Sequence, residues 1–439
     1  MADEWTVRPL EECIAALIDY RGKTPQKVSF GIPLITAKVV KAGRIETPDE
    51  FISVDDYEPW MRRGIPEAGD VLITTEAPLG EVAQLGSERV ALAQRLIAIR
   101  GKQGVLDNGF LKFLLQSADV QDQLRARASG TTVLGIKQSE LRKVLLTLPT
   151  VEEQRAIAHI LGTLDDKIEL NRQMNETLET MARVLFKSWF ENFDPVRAKA
   201  EGRDSSLPGP LADLFPDSFE DSELGEIPKG WEVKRFADTI DIIGGGTPKT
   251  SVAEYWDGEI PWFSVVDAPS NSDVWVTDTA KKITHEAVRN SSTRVLAVGT
   301  TIISARGTVG RVALVAVPMA MNQSCYGLRG KVGAHGFFTY YATRALVTRL
   351  QQHAHGSVFD TITQDTLAGV ALASPPAKLI EAFEAHVAPI LERIRASLFD
   401  TRSLATLRDT LLPKLITGEL RLAELAEFIK ARPGLATGG

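Results

Sequence analysis

Three short strings carry residue types that could do chemistry. Gly22-Lys23-Thr24 sets a lysine and a hydroxyl at a glycine turn, as in a loop that wraps phosphates. Such a loop needs another glycine five residues before Gly22, so that successive backbone N–H groups converge on the anion, and position 17 is Leu. Gly244-Gly245-Gly246 is not followed directly by Lys-Ser or Lys-Thr, so both glycine runs read as tight turns. Phe193-Asp194-Pro195-Val196 comes nearest to the Asn/Asp-Pro-Pro-Tyr/Phe string with which an adenine methyltransferase grips a flipped base, and it is not a match. No G-x-G-x-x-G follows a strand pattern, and no carboxylate–lysine cluster of nuclease type stands out. The six histidines and two cysteines, Cys13 and Cys325, lack close pairing, so no metal site is expected. Hydrogen bonding by polar and basic side chains is the chemistry that remains.

The elements that would position such side chains follow from length and pattern. A chain of 439 residues is too long for one core and suits two domains with connecting elements. A hydrophobic fraction of 44% and a charged fraction of 24% are those of a soluble globular protein. No uninterrupted apolar run approaches the length of a membrane span. The start, MADEWTVRPL, lacks a basic stretch followed by an apolar one, and two cysteines suit a reducing compartment. A cytoplasmic protein is expected. The net charge of −7 argues against nucleic acid, but acidic residues gather in 202–226, and binding answers to the field at one face.

The chain is written twice. Trp5-x-Val7 recurs as Trp231-x-Val233, 226 positions later. Gly22-Lys23-Thr24-Pro25 recurs as Gly245-Gly246-Thr247-Pro248, and Ile32-Pro33 as Ile260-Pro261. GDVLITTEAPLGEVA (69–83) aligns with GTTIISARGTVGRVA (299–313), and ALAQRLIAIRG (91–101) with AMNQSCYGLRG (320–330). Ala128-Ser129-Gly130-Thr131 aligns with Ala354-His355-Gly356-Ser357. Within each copy, short β-rich runs (72–75, 96–100, 300–304, 312–317) mix with helical ones (108–117, 337–350), which points to an α+β fold. Trp60, Trp256, Trp262 and Trp275 read as packing residues.

Each copy ends in one long helical pattern. Thr150 and Glu153 form a capping-box string ahead of the first. Its 4–3 seam runs Ile157, Leu161, Leu164, Ile168, Asn171, Asn175, Leu178, Ala182, Leu185, Trp189. The second runs Phe383, Val387, Ile390, Ile394, Ser397, Thr401, Leu404, Arg408, Leu411, Leu415, the same ten positions shifted by 226. Pro413 is expected to kink or end the second helix early. Apolar residues at this period make a coiled-coil seam, and the mid-seam polar residues fix its register. Polar would meet polar in an antiparallel pair and equally in a parallel one, so the seam leaves the direction open.

These features resemble the specificity subunit of type I restriction–modification systems. The resemblance rests on the two variable halves, on PTVEEQRAIAHILGTLDDKIELNRQMNETLETMARVLFKSWF and LRDTLLPKLITGELRL, and on ISARGTVG (303–310), MNQS (321–324) and Gly356-Ser357 with Ile362. It covers about residues 5–425; the first half departs from it, with Thr75-Glu76-Ala77-Pro78 where the second has Ala305-Arg306-Gly307-Thr308. It implies an α+β fold of two similar target recognition domains joined by two long helices forming an antiparallel coiled coil, a pseudo-two-fold internal repeat. The domains expected are target recognition domain 1 (1–149), a first spacer helix (150–191), a linker (192–229), target recognition domain 2 (230–374), a second spacer helix with C-terminal segment (375–425) and a tail (426–439). A seam from 157 to 189 is about 50 Å long at about 1.5 Å per residue, and half-sites one DNA turn apart lie about 34 Å from each other.

The function implied is non-catalytic: recognition of a bipartite, asymmetric sequence in double-stranded DNA, for two modification subunits that methylate adenine with S-adenosylmethionine and for restriction subunits that use ATP and Mg. No cofactor of its own and no membrane partner is expected. The alternative is the specificity module of a related non-type-I defence methyltransferase system. Base edges are read by Arg, Lys, Asn and Gln, and phosphates by Lys, Arg, Ser, Thr and backbone N–H. On that basis the DNA-binding candidates in the first half are Lys23, Thr24, Thr74, Thr75, Gln94, Arg95, Thr131, Thr132 and Lys137. In the second half they are Thr247, Lys249, Arg306, Thr308, Asn322, Gln323, Ser357 and Thr363.

Overall fold

The computed structural model describes residues 5–20, 24–270, 272–331, 336–353 and 361–421. The chain folds as two compact units, Met1–Lys167 with Ser403–Gly439, and Ile168–Arg402.

The strands of the first unit include β1 (Thr6–Pro9), β2 (Ile14–Asp19), β3 (Ile32–Ile35), β4 (Val71–Thr75), β5 (Leu79–Gln84), β6 (Ala91–Leu92), β7 (Leu96–Gly101) and β8 (Leu145–Leu148). The main sheet has the order β2-β7-β4-β5, antiparallel throughout. Its middle strands carry unbroken apolar runs, Val71–Ile73 and Leu96–Ile99, because both faces are covered. Val71, Ile73, Ile97 and Ile99 pack with Phe110 and Leu114 of helix α1 (Asn108–Gln116); Leu72, Leu96 and Ala98 face a second core with Leu34 of β3 and Leu92 of β6. Asp107 starts α1, its carboxylate accepting from Phe110 N–H at 3.0 Å. Helix α2 (Ala118–Arg127) follows. β1 pairs with β8, Thr6 opposite Leu148.

Helix α3 spans Val151–Phe190. At its start the Thr150 hydroxyl accepts from Glu153 N–H at 3.3 Å, as the capping string predicts, while the Glu153 carboxylate pairs with Arg421 at 3.5 Å. The residues expected to be a linker form instead a folded segment: α4 (Asp194–Ala200), a short helical turn and the hairpin β9 (Phe219–Ser222)–β10 (Gly225–Pro228). Its Val196, Leu211, Phe215 and Ile227 enter the core of the second unit, which explains why so acidic and Pro/Gly-rich a stretch is ordered.

The second unit repeats the first. Its strands include β11 (Glu232–Arg235), β12 (Ile240–Gly244), β13 (Trp256–Phe263), β14 (Trp275–Val276), β15 (Thr301–Ser304), β16 (Val312–Val315), β17 (Ala320–Met321), β18 (Cys325–Gly330) and β19 (Ala371–Ser374). Four of the five strands in the order β12-β18-β15-β16-β14 reproduce the first sheet. Helix α5 (Phe337–His353) covers it, and β11 pairs with β19, Glu232 opposite Ser374.

Helix α6 spans Ala377–Ile416 and does not end at Pro413. A proline inside a helix costs about 3 kcal/mol, but Leu415 and Ile416 beyond it are buried in the first unit's core, each worth about 1.5–3 kcal/mol. The helix stops where Gly418 takes a positive φ of 72°. Within each unit α3 and α6 run in opposite directions. In the first, Arg408 pairs with Asp165 at 2.8 Å and Arg421 with Glu153. In the second, Asn171 bonds Thr401 at 3.1 Å and Phe186 packs on Phe383. Ile157, Leu161, Asn175, Ala182, Trp189, Phe383, Val387, Ile394, Ser397 and Leu415 of the seam are buried. Leu164, Ile168, Asn171, Leu178, Leu185, Ile390, Thr401, Leu404, Arg408 and Leu411 are half-buried. Phe186, Phe190, Glu179 and Leu391 lie off the seam yet are buried, because the helices also pack on the sheet layers. Trp189 stacks edge-on against Phe215 and Phe383.

Candidate nucleic-acid interface

In the first unit two loops and one strand end meet at the same place, and in the second the described residues repeat the strand end and the loop before β18. In the first, β4 ends at Thr75 and turns through Glu76; the turn from β6 into β7 carries Gln94 and Arg95; and a loop from Ser129 to Gly135 closes on itself through reciprocal N–H···O=C bonds of 2.8 and 2.9 Å. Backbone bonds fasten them together. Thr75 N–H donates to the Arg95 carbonyl and Ile136 N–H to the Thr75 carbonyl, both at 2.9 Å. The result is a cavity of about 330 Å³ lined by Thr75, Glu76, Gln94, Arg95, Ser129 and Lys137, among others.

Four sequence candidates, Thr75, Gln94, Arg95 and Lys137, therefore gather at one site. Gln94 donates to the Thr24 hydroxyl at 3.0 Å, bringing a fifth beside them. Arg95 and Lys137 are exposed, and Arg95 pairs with Glu76, Nε to Oε1, at 2.9 Å. Thr131 and Thr132 are exposed on the closed loop. Thr74 does not belong in the set: it is buried, and its hydroxyl accepts from Glu81 N–H at 2.9 Å, so it holds the β4–β5 turn. Thr75 is also buried and contributes backbone more than side chain. Lys23 lies outside the described residues.

The second unit builds the same corner from Arg306, Thr308, Asn322, Gln323 and Thr363. Arg306, Thr308 and Gln323 are exposed. Asn322 is half-buried, and its Oδ1 accepts from Ser324 N–H at 3.0 Å, a turn-holding bond. Thr363 caps the helix that follows it, accepting from Thr366 N–H at 3.0 Å. Thr247 is half-buried and Lys249 exposed; Lys249 offers its carbonyl to the Trp256 indole N–H at 3.4 Å. Trp262 and Trp275 are buried, their indoles donating to the Gly246 carbonyl at 3.0 Å and the Leu391 carbonyl at 2.8 Å. Trp60 and Trp256 are half-buried, and Trp60 donates to the Leu92 carbonyl at 3.0 Å. Ser357 lies outside the described residues.

The chemistry on offer is hydrogen bonding. Arginine forks, amides and hydroxyls facing solvent suit flat acceptors and phosphates. Cys325, directly under the second corner, is buried with its thiol pushed up to about 12 by loss of solvent, so it packs and does not react. Among the described residues no group of three or more His, Cys, Asp or Glu could hold a metal ion, and no helix is long and apolar enough to cross a membrane. Glu76 is not among the sequence candidates, which were chosen as donors. The signal was present in the mismatch between Thr75-Glu76-Ala77-Pro78 and Ala305-Arg306-Gly307-Thr308.

A family model described as the type I restriction modification DNA specificity domain matches residues 3–180 and 228–382. Over 421 residues the chain is 26% identical to the type I restriction enzyme HindI specificity subunit of Haemophilus influenzae, covering 84% of this chain and 90% of that one. Over 361 residues it is 27% identical to the type I restriction enzyme MjaIX specificity subunit of Methanocaldococcus jannaschii, covering 81% and 79%. Its fold is like that in the crystal structure of the type I restriction–modification S subunit from M. genitalium, with a TM-score of 0.58 at 16% identity over 94% and 96% of the two chains.

Proposed function

The chain belongs to the type I restriction–modification DNA specificity family, and from that membership we propose that it is the subunit that selects the DNA target for a type I complex. One observation carries this reading: the specificity domain occurs twice in one chain, and each copy sits on the same sheet order with a donor-rich corner at the same strand end. Two readers in one chain fit a target in two parts. Because the corners differ in sequence, the two parts differ, and the target is asymmetric.

The chain does no bond chemistry of its own in this reading. Two modification subunits methylate adenine with S-adenosylmethionine, and restriction subunits supply ATP- and Mg-dependent cleavage, all guided by this chain in the cytoplasm. The helices α3 and α6 form an antiparallel coiled coil that sets the number of base pairs between the half-sites. The opposed run of the two helices within each unit supports this, as does the polar centre of the seam at Asn171 and Thr401.

The test is reconstitution. The full chain is assembled with its methyltransferase subunits, and methylated adenines are mapped across a genome. A split motif with a fixed gap is expected with the chain present and no methylation with it omitted. Methyl transfer by the isolated chain would overturn the assignment. Inserting one heptad into each long helix should lengthen the gap and leave the half-sites unchanged.

A further inference from the structure

The two units differ most tellingly where their backbones agree. Thr75 N–H donates to the Arg95 carbonyl (2.9 Å) as Ala305 N–H donates to the Ser324 carbonyl (2.7 Å). Ile136 N–H donates to the Thr75 carbonyl (2.9 Å) as Ile362 N–H donates to the Ala305 carbonyl (2.8 Å). The Thr74 hydroxyl accepts from Glu81 N–H (2.9 Å) as the Ser304 hydroxyl accepts from Arg311 N–H (2.8 Å). These bonds make Glu76 the counterpart of Arg306, and Arg95 the counterpart of Ser324. Each corner thus carries an arginine, hung from opposite turns: before β7 in the first unit, after β15 in the second. Among the described residues, only the first corner adds a carboxylate, Glu76, against it.

That carboxylate has a use that stability does not explain. The Glu76–Arg95 side chains are 44% and 51% exposed, and an ion pair so open contributes almost nothing to folding. It stands 2.9 Å from Nε of Arg95 and so places its charge beside the Nε side of the guanidinium, leaving the terminal edge, with its parallel N–H groups, to another acceptor. That edge matches O6 and N7 of guanine. The Arg95 backbone is fixed as well: φ is 74°, a conformation that a residue with a Cβ keeps only where its surroundings hold it, and the Thr75 N–H holds its carbonyl. An arginine braced at both backbone and side chain loses less freedom on binding.

We propose that Arg95 reads a guanine in one half-site with Glu76 as its positioning residue, and that the second unit reads its own half-site from the opposite turn, through Arg306. This rests on the chain being the target-selecting subunit. The experiment uses the full chain assembled with its methyltransferase subunits and maps methylated adenines for wild type, Arg95→Ala, Arg95→Lys, Glu76→Gln and Arg306→Ala, with a melting curve for each. The half-site altered by Arg306→Ala identifies the second unit's share.

In the other half-site Arg95→Ala is expected to lose about 10- to 100-fold of its preference for one guanine and to accept other bases there. Glu76→Gln should relax the same position to a smaller degree, with unchanged melting. Arg95→Lys keeps the charge but cannot span O6 and N7 as a fork, so it should relax that position too, and it decides the matter if Arg95→Ala melts early. A half-site without guanine, or one unchanged by Arg95→Lys, overturns the assignment. So does an even loss of methylation across all sequences, which marks a phosphate contact. A wild-type complex that yields no split motif would instead remove the function on which the assignment rests.

Discussion

Asn171 on α3 donates its side-chain amide to the hydroxyl of Thr401 on α6, 3.1 Å away. Asn175 and Ser397 are buried within a turn of them. The seam is therefore polar at these positions, and a slip of register would set these groups against Leu or Ile. Replacing Asn171 with Leu should strand the Thr401 hydroxyl and cost about 1–3 kcal/mol. Asn171→Leu with Thr401→Val should recover most of it. A double-mutant cycle by urea unfolding measures the coupling, and a coupling of zero would show that the bond does not bind the helices.

Asp165 on α3 answers two cations, Lys112 at 2.6 Å and Arg408 at 2.8 Å, in a setting largely closed to solvent. Asp165→Asn removes the carboxylate facing Lys112 and leaves Arg408 with the exposed Asp409 alone, for an expected loss of about 2–4 kcal/mol. The loss should persist in high salt, because ions do not reach the pair well. Thermal unfolding at low and high ionic strength checks both points.

Glu384 on α6 accepts from Phe338 N–H at 2.7 Å at the start of α5, and burial pushes its carboxyl up to about 7 from 4.5. A carboxyl raised by folding is favoured as the neutral acid. Its contribution is complete below about pH 4.5 and is lost as the pH climbs through about 7, by about 3 kcal/mol at most. Glu384→Gln keeps the acceptor without the charge. Unfolding midpoints from pH 5 to 8 should fall more steeply for wild type than for the variant; parallel curves would assign the slope to other groups.

Gly245 and Gly244 are neighbours with opposite tolerances. A Cβ on Gly245 would stand 1.8 Å from the Asn322 carbonyl, while one on Gly244 meets nothing within 4 Å. Gly245→Ala should displace the turn that carries Asn322 and Gln323 and weaken selection of the second half-site alone. Gly244→Ala should leave both half-sites as they are. Methylation mapping of the two variants reads the difference.

Thr74→Val separates support from contact. It removes the acceptor of Glu81 N–H in a buried strand and should cost about 1–2 kcal/mol. The DNA motif should not change, since the hydroxyl is buried and held by Glu81 N–H. A changed motif would return Thr74 to the reading surface.

What could be read from the sequence was periodic or repeated. The long helices declared themselves through 4–3 spacing, and the strands 71–75 and 301–304 through short β-rich runs. Pro413 misled because a local rule met a larger tertiary gain from Leu415 and Ile416. The acidic stretch after Asn192 looked like a tether because its composition hides Leu211, Phe215 and Ile227, which are spaced too irregularly to show a face. At the candidate corner, Arg95 and Lys137 were legible as exposed cations. The inward turn of Thr74 and the brace from Glu76 were not, since both depend on which way a side chain leaves a strand end.

The pairing of β1 with β8 and of β11 with β19 has one more outcome. Each reader leaves its sheet beside the place where it began, so its two ends are clipped together by a single ladder. A reader bounded in this way is a cassette: another could be transplanted between the same two strands without disturbing the struts. New DNA preferences could arise in this scaffold by wholesale exchange as readily as by single substitutions.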